Sequence, residues 1–191
     1  MVAAIAIDHL LNSVQNDSCG VSYVYCNYKA QEEQDVTSML ASILKQLVKG
    51  RPIMETVQQL YKKHNRKGTR PSLHEMFETL RDVLASYSTV YIVIDALDEC
   101  REGIRRQFLA KLRDLREGRD IRLMVTSRFI PEIVDAFKAA LTLEVQANEE
   151  DVKRFVAGQT YHLPRCIQRD PALQNMVQDM IAEAVGGMYA S

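Results

Sequence analysis

Five consecutive residues of this chain, Asp95-Ala96-Leu97-Asp98-Glu99, hold three carboxylates directly after the apolar run Val90-Tyr91-Ile92-Val93-Ile94. An unbroken run of this kind predicts a strand buried on both faces. Such a strand delivers the residues after it to the C-terminal end of a parallel sheet, where ligands bind. Packing alone disfavours three acids there, because a buried carboxylate is costly unless a cation or a donor compensates it. A hard divalent ion and a phosphate chain would do so; the plainer alternative is a strand ending in a solvated acidic turn. A second group comes one crossover later, where Leu123-Met124-Val125 runs into Thr126-Ser127-Arg128. An arginine at that edge can meet a terminal phosphate through two parallel hydrogen bonds, although taken alone an arginine after a strand is usually solvated.

The elements that must position these residues alternate between helical and strand patterns, which predicts an α/β domain with a mostly parallel sheet. Residues 2–11 read as a helix, 21–25 as a strand entered through Gly20, and 122–126 and 141–145 as two further strands after 90–94. Asp35 caps a helix whose apolar face is Val36, Met39, Leu40, Ile43, Leu44, Leu47 and Val48, ended by Gly50. Pro52 starts another helix, carrying Ile53, Val57, Leu60 and Tyr61, and residues 62–71 read as a basic linker. Ser72 and Glu75 form a capping box for a helix using Leu73, Met76, Phe77, Leu80 and Leu84. Helices are expected over 104–116, from Pro131, from an Asn148 cap, and from Asp170-Pro171 to a break at Gly186-Gly187.

Composition narrows the function classes. The chain has 191 residues, 47% hydrophobic and 26% charged, with a net charge of −1. That is an ordinary globular balance, which excludes disorder and announces no nucleic-acid or membrane partner. The longest charge-free stretch, residues 83–94, has 12 residues, short of the ~18 that argue for a membrane span. No basic segment precedes an apolar run at the N-terminus, so no signal peptide is read and a cytoplasmic location is expected. The four cysteines (Cys19, Cys26, Cys100, Cys166) include no C-x-x-C pair, and read as reduced, mostly buried thiols. His74 opens H-E-M-F-E without the second histidine of a zinc-protease helix, and reads as a helix surface residue.

In this order and spacing the two groups resemble the NACHT family of signalling P-loop NTPases, of the STAND class. The magnesium-binding (Walker B) strand of that family ends in Asp, a small residue, an apolar residue and then acids, here Asp95, Ala96, Leu97, Asp98 and Glu99. Its next strand ends in T-S-R, matched by Thr126, Ser127 and Arg128. The chain is most similar to the fungal branch that includes nephrocystin-type N-terminal domains joined to ankyrin or other repeats. Tyr23-Val24-Tyr25-Cys26-Asn27-Tyr28 resembles the strand that branch places before its first long helix, and the resemblance covers essentially the whole chain.

The resemblance implies a truncated P-loop NTPase of three α/β/α layers, with strands 2–5 present, strand 1 missing, and helices at the C-terminus. Residues 1–146 would form the partial NTPase domain and 147–191 the start of a helical subdomain. It also implies that Asp95 holds magnesium through water and that Asp98 orients or deprotonates the attacking water, with Glu99 beside it. Arg128 would sense the terminal phosphate, and Thr126 and Ser127 would contact the nucleotide. In the family's sheet order, 5-1-4-3-2, strand 141–145 would lack its native partner and would have to close the gap itself, or leave the chain poorly stable.

The family's phosphate loop, G-x-x-x-x-G-K-[ST], is absent, since none of the eight glycines precedes a lysine. Its place would be just before Met1, and residues 2–11 have the character of the helix that receives the phosphates. The chain is therefore expected to be an internal slice of a larger switch protein. That parent would use magnesium and ATP or GTP, hydrolyse the nucleotide slowly and control self-association. Alone, the chain is expected to be inactive and to bind nucleotide weakly or not at all. The alternatives are a non-hydrolysing protein–protein interaction module and a truncated product without activity. The basic residues of 62–71 and of the 104–116 helix lack interleaved aromatics, so nucleic acid is not an expected partner.

Overall fold

The apolar run that precedes the acids is the middle strand of a three-stranded sheet. In the computed structural model, which describes residues 2–14, 16–30, 34–145, 149–159, 161 and 163–188, β1 (Cys19–Tyr25), β2 (Thr89–Asp95) and β3 (Asp120–Val125) lie side by side in that order. Both pairs are parallel, with Tyr25 opposite Asp95 and Ile94 opposite Val125. The strands expected at 21–25, 90–94 and 122–126 thus pair as neighbours.

The chain divides into two units, 1–138 and 139–191. In the first, α2 (Val36–Leu47), α4 (Leu73–Leu84) and α5 (Glu102–Arg116) cover one face of the sheet. Their buried stripes, among them Leu40, Ile43, Leu80, Phe108 and Leu115, meet Val24, Ile92 and Ile94 in one apolar core. The opposite face is covered by α1 (Val2–Ser13), whose Ala3 and Ile7 pack on Val93. The Ser72–Glu75 capping box forms as read, and the Asp35 cap forms as one half of a second box with Ser38. The Asp35 carboxylate accepts the Ser38 N–H at 2.6 Å and Ser72 Oγ accepts the Glu75 N–H at 3.3 Å, each answered by a return bond from the third residue.

The outer edge of β1 is closed without a further strand. The Gln46 amide of α2 accepts the Tyr23 N–H at 3.0 Å and donates to the Tyr23 carbonyl at 2.8 Å. Gln34 Nε2 donates to the Tyr25 carbonyl at 2.8 Å. Side-chain amides here do what an adjacent strand would do, satisfying backbone groups that would otherwise invite another chain.

Four expectations are corrected. Residues 141–145, expected as a strand, form none, and Leu141, Leu143 and Val145 are exposed. Their alternation suits a strand, but a strand exists only as a member of a ladder, and the pattern does not supply the partner. The basic stretch 62–71 is not a linker throughout, because α3 (Glu55–Lys67) runs through most of it before Gly68 turns left-handed at φ 60°. Lys, Arg and His in a last turn complement the helix dipole rather than break the helix. That helix also starts at Glu55 rather than Pro52, and leaves Ile53 and Tyr61 exposed. In the second unit, which also holds α7 (Glu149–Gly158) and α8 (Arg165–Gln168), α9 (Pro171–Met188) continues across Gly186 and Gly187. Glycine costs a helix only about 1 kcal/mol per residue, which does not oblige a break.

Helix α6 (Pro131–Ala136) begins where Pro131 predicts, His74 is exposed, and the Asn148 cap lies outside the described residues. Among the described residues no helix is long and apolar enough to cross a membrane.

Candidate functional site

β2 ends at Asp95, and the chain then bends sharply. Ala96 adopts the left-handed conformation (φ 53°, ψ 50°) and leads into a 3₁₀ turn, Leu97–Glu99. A non-glycine residue there carries strain of about 1–2 kcal/mol, which the surroundings must hold. They do so through backbone and side-chain bonds. The Ala96 N–H donates to Thr126 Oγ1 at 2.9 Å and the Leu97 N–H to the Thr126 carbonyl at 2.9 Å. Leu97 is fully buried and anchors the turn in the core. The bend sets Asp98 and Glu99 beside the segments that come after β3 and β1.

Each of the three carboxylates meets its own partner. Asp95 Oδ1 accepts the Thr126 hydroxyl at 2.6 Å. Asp98, whose side chain is only 3% exposed, accepts Arg128 Nε at 2.6 Å and the Arg128 backbone N–H at 3.1 Å. Glu99 Oε2 accepts the Tyr28 N–H at 3.0 Å, tying the acidic turn to the segment after β1. Ser127 lies at the exposed margin and its hydroxyl donates to the Arg128 carbonyl at 2.7 Å. The residues singled out in the sequence, Asp95, Asp98, Glu99, Thr126, Ser127 and Arg128, therefore share one end of the sheet. The carboxylates do not converge: among the described residues no group of three or more His, Cys, Asp or Glu is placed to hold a metal ion.

The Asp98–Arg128 pair is asymmetric. Burial pushes the Asp98 pKa up, yet the Arg128 guanidinium and N–H outweigh it and hold the carboxyl below the ordinary aspartate value. The hydrogen bond to Asp98 raises Arg128 in turn. The arginine side chain is itself 82% exposed, so an ionised, buried acid holds a solvated cation.

Two thiols border the same turn. Cys26 comes directly after β1, and its N–H donates to the Asp95 carbonyl at 3.0 Å; Cys100 closes the 3₁₀ turn with its N–H on the Leu97 carbonyl at 3.2 Å. Both are buried. The neighbouring Cys100 group and then burial push the Cys26 thiol up, while Cys26 and the nearby Arg105 charge draw Cys100 down against burial. In the sequence these cysteines read as ordinary buried thiols, and both are buried here.

A hollow of about 400 Å³ lies at the other end of the sheet, lined by Leu84, Tyr87, Val90, Arg119 and Ile121 among others. It is remote from the carboxylates, and the side chains with paired chemistry gather at the C-terminal end, where parallel sheets present ligands.

A family model described as nephrocystin 3, N-terminal, matches residues 1–128, which include the whole sheet and every residue of this site. No curated protein matches the chain.

Proposed function

The chain belongs to the nephrocystin 3 N-terminal family, and on that premise we propose that it is the acid- and arginine-bearing part of a nucleotide-dependent signalling switch of the NACHT kind. The observation that carries this reading is the 2.6 Å contact between a buried Asp98 and an exposed Arg128, borne on neighbouring parallel strand ends. An arginine so held has an anionic partner in the resting chain and a short path to another anion. In the proposed switch, Arg128 leaves Asp98 for the terminal phosphate of a nucleotide. Asp98 is then left buried without its cation, its proton affinity rises, and it becomes a better base toward an attacking water. Glu99 stays on the Tyr28 N–H and holds the turn in place.

The donor set supports magnesium in a limited way. Asp95 spends Oδ1 on Thr126, and its other oxygen makes no hydrogen bond among the described residues. One carboxylate beside a hydroxyl suits a cation that keeps most of its water and takes its remaining ligands from phosphate oxygens, as magnesium does. Asp95 and Thr126 would hold it, and the ion would offset phosphate charge. Ser127 would border the phosphates. ATP and GTP fit equally, since no base-reading group is identified.

The chain carries no phosphate loop of its own, so its affinity for nucleotide alone is expected to be weak or nil. A longer form with an N-terminal G-x-x-x-x-G-K-[ST] segment is expected to bind a fluorescent ATP analogue only with magnesium and to hydrolyse ATP slowly. Asp95→Ala should abolish both; hydrolysis that survives this change contradicts the assignment. A second reading, a non-hydrolysing protein–protein interaction module, draws on the fact that all three acids already have partners within the chain. Magnesium-dependent binding without turnover in the longer form would favour it.

A further inference from the structure

We propose that the basic end of α3 and the turn after it form a binding site for anionic lipid headgroups at a membrane surface. The net charge of −1 conceals a strong asymmetry. Residues 56–74 hold five basic side chains (Lys62, Lys63, Arg66, Lys67, Arg70) and no Asp or Glu. The whole chain has 24 Lys and Arg against 25 Asp and Glu, so the remainder is six charges negative. All five cations are exposed. Lys63 is bonded to Glu75 at 2.5 Å, whereas Lys62, Arg66, Lys67 and Arg70 make no ion pair among the described residues.

Folding does not ask for this arrangement. Val57 and Leu60 turn α3 toward the core, and Lys62 and Arg66, one helical turn apart, lie on its outer surface. Lys62 with Arg66 and Lys63 with Lys67 are like-charge pairs four residues apart, which weaken a helix rather than support it. The helix dipole favours cations in the last turn, but Lys62 precedes that turn and Arg70 follows the left-handed Gly68. A partner that compensates all four unpaired cations together must present a surface of negative charge. An anionic leaflet is such a surface, and each Lys or Arg held close to it strengthens binding by about fivefold. Tyr61, 67% exposed and directly before Lys62, adds an aromatic ring of the kind enriched at membrane–water interfaces. A nucleic acid is also polyanionic, but one ring without further interleaved aromatics offers no stacking platform for its bases. Binding of the proposed kind is peripheral, electrostatic and weakened by salt.

The test is co-sedimentation of the chain with vesicles of phosphatidylcholine alone and of phosphatidylcholine mixed with phosphatidylserine. Binding is expected only to the mixed vesicles, and should fall as salt rises. The combined changes Lys62→Gln, Arg66→Gln, Lys67→Gln and Arg70→Gln should weaken it by about a hundredfold or more. These side chains are exposed and unpaired, so the variant should stay folded, which thermal unfolding checks. A second variant removes the same charge from other exposed positions through Lys45→Gln, Lys49→Gln, Arg113→Gln and Arg116→Gln, and should bind far more tightly than the first. Equal loss in the two variants, equal binding to both kinds of vesicle, or no binding to the mixed vesicles would overturn the proposal. Capture of a fluorescent single-stranded oligonucleotide in place of the mixed vesicles would overturn it in favour of nucleic acid. No arm of the experiment involves nucleotide or the Asp98–Arg128 pair, so its outcome stands apart from that of the proposed switch.

Discussion

Along β2, Val90, Ile92, Val93 and Ile94 are buried by apolar contact on both faces of the sheet. Of the next five residues Leu97 is anchored in the core, and Asp95, Ala96, Asp98 and Glu99 are held instead by directional bonds to Thr126, Arg128 and Tyr28. Apolar burial is non-directional, scales with area and is indifferent to charge state. The polar end depends on which groups are ionised, and it can exchange one partner for another at small net cost. The body of the strand therefore serves as a fixed platform, and its C-terminal end is where a ligand or a proton can act.

The contrast is broken most forcefully from the apolar side. Phe108 is fully buried against the platform, and Phe108→Ala is expected to cost about 3–5 kcal/mol. Urea unfolding should show that loss with little change between pH 4 and 8. A smaller, pH-dependent effect is expected at the other end, where Asp98→Asn should cost about 1–3 kcal/mol at neutral pH. The folded pKa of Asp98 lies below its unfolded value of about 3.9. Its contribution is therefore fully present above that value and is lost as pH falls through the folded pKa. Unfolding measured at several acidic pH values should show wild type and Asp98→Asn converging as the pH drops; a constant gap would contradict the pairing.

Thr126→Val keeps shape but removes the hydroxyl shared by Asp95 and the Ala96 N–H. About 1–2 kcal/mol should be lost, since the acceptor for a backbone N–H at the turn disappears. The smallest change is expected from Ala96→Gly, which relieves a left-handed alanine but frees the unfolded chain. Thermal unfolding should place that variant within about 1 kcal/mol of wild type. A large loss would mean that the alanine methyl, and not only the bend, holds the turn.

The platform is legible in the sequence because unbroken apolar runs, helical stripes and capping boxes are local signals. Asp35 with Ser38 and Ser72 with Glu75 act within a few residues of one another. Residues 141–145 show the limit of such signals, since alternation states what a segment can do in a ladder and not whether a ladder is available. At the site, the residue types at 95–99 and 126–128 are readable, but their partnerships are not. Asp98 and Arg128 each suggest a separate role in the sequence, and only their placement on adjacent strand ends shows that they hold each other. The Gln46 and Gln34 bonds to the edge of β1 are equally hidden, because each joins residues whose meeting no local pattern encodes.

The central claim, that Arg128 trades Asp98 for a phosphate, is tested most directly by titrating a fluorescent ATP analogue with magnesium into the longer, loop-bearing form. Wild type and Arg128→Ala should be compared. Loss of a charge-assisted contact to phosphate predicts affinity weaker by about tenfold or more for the variant. Equal affinity for the two proteins would contradict the account and leave the Asp98–Arg128 pair as a structural tie alone.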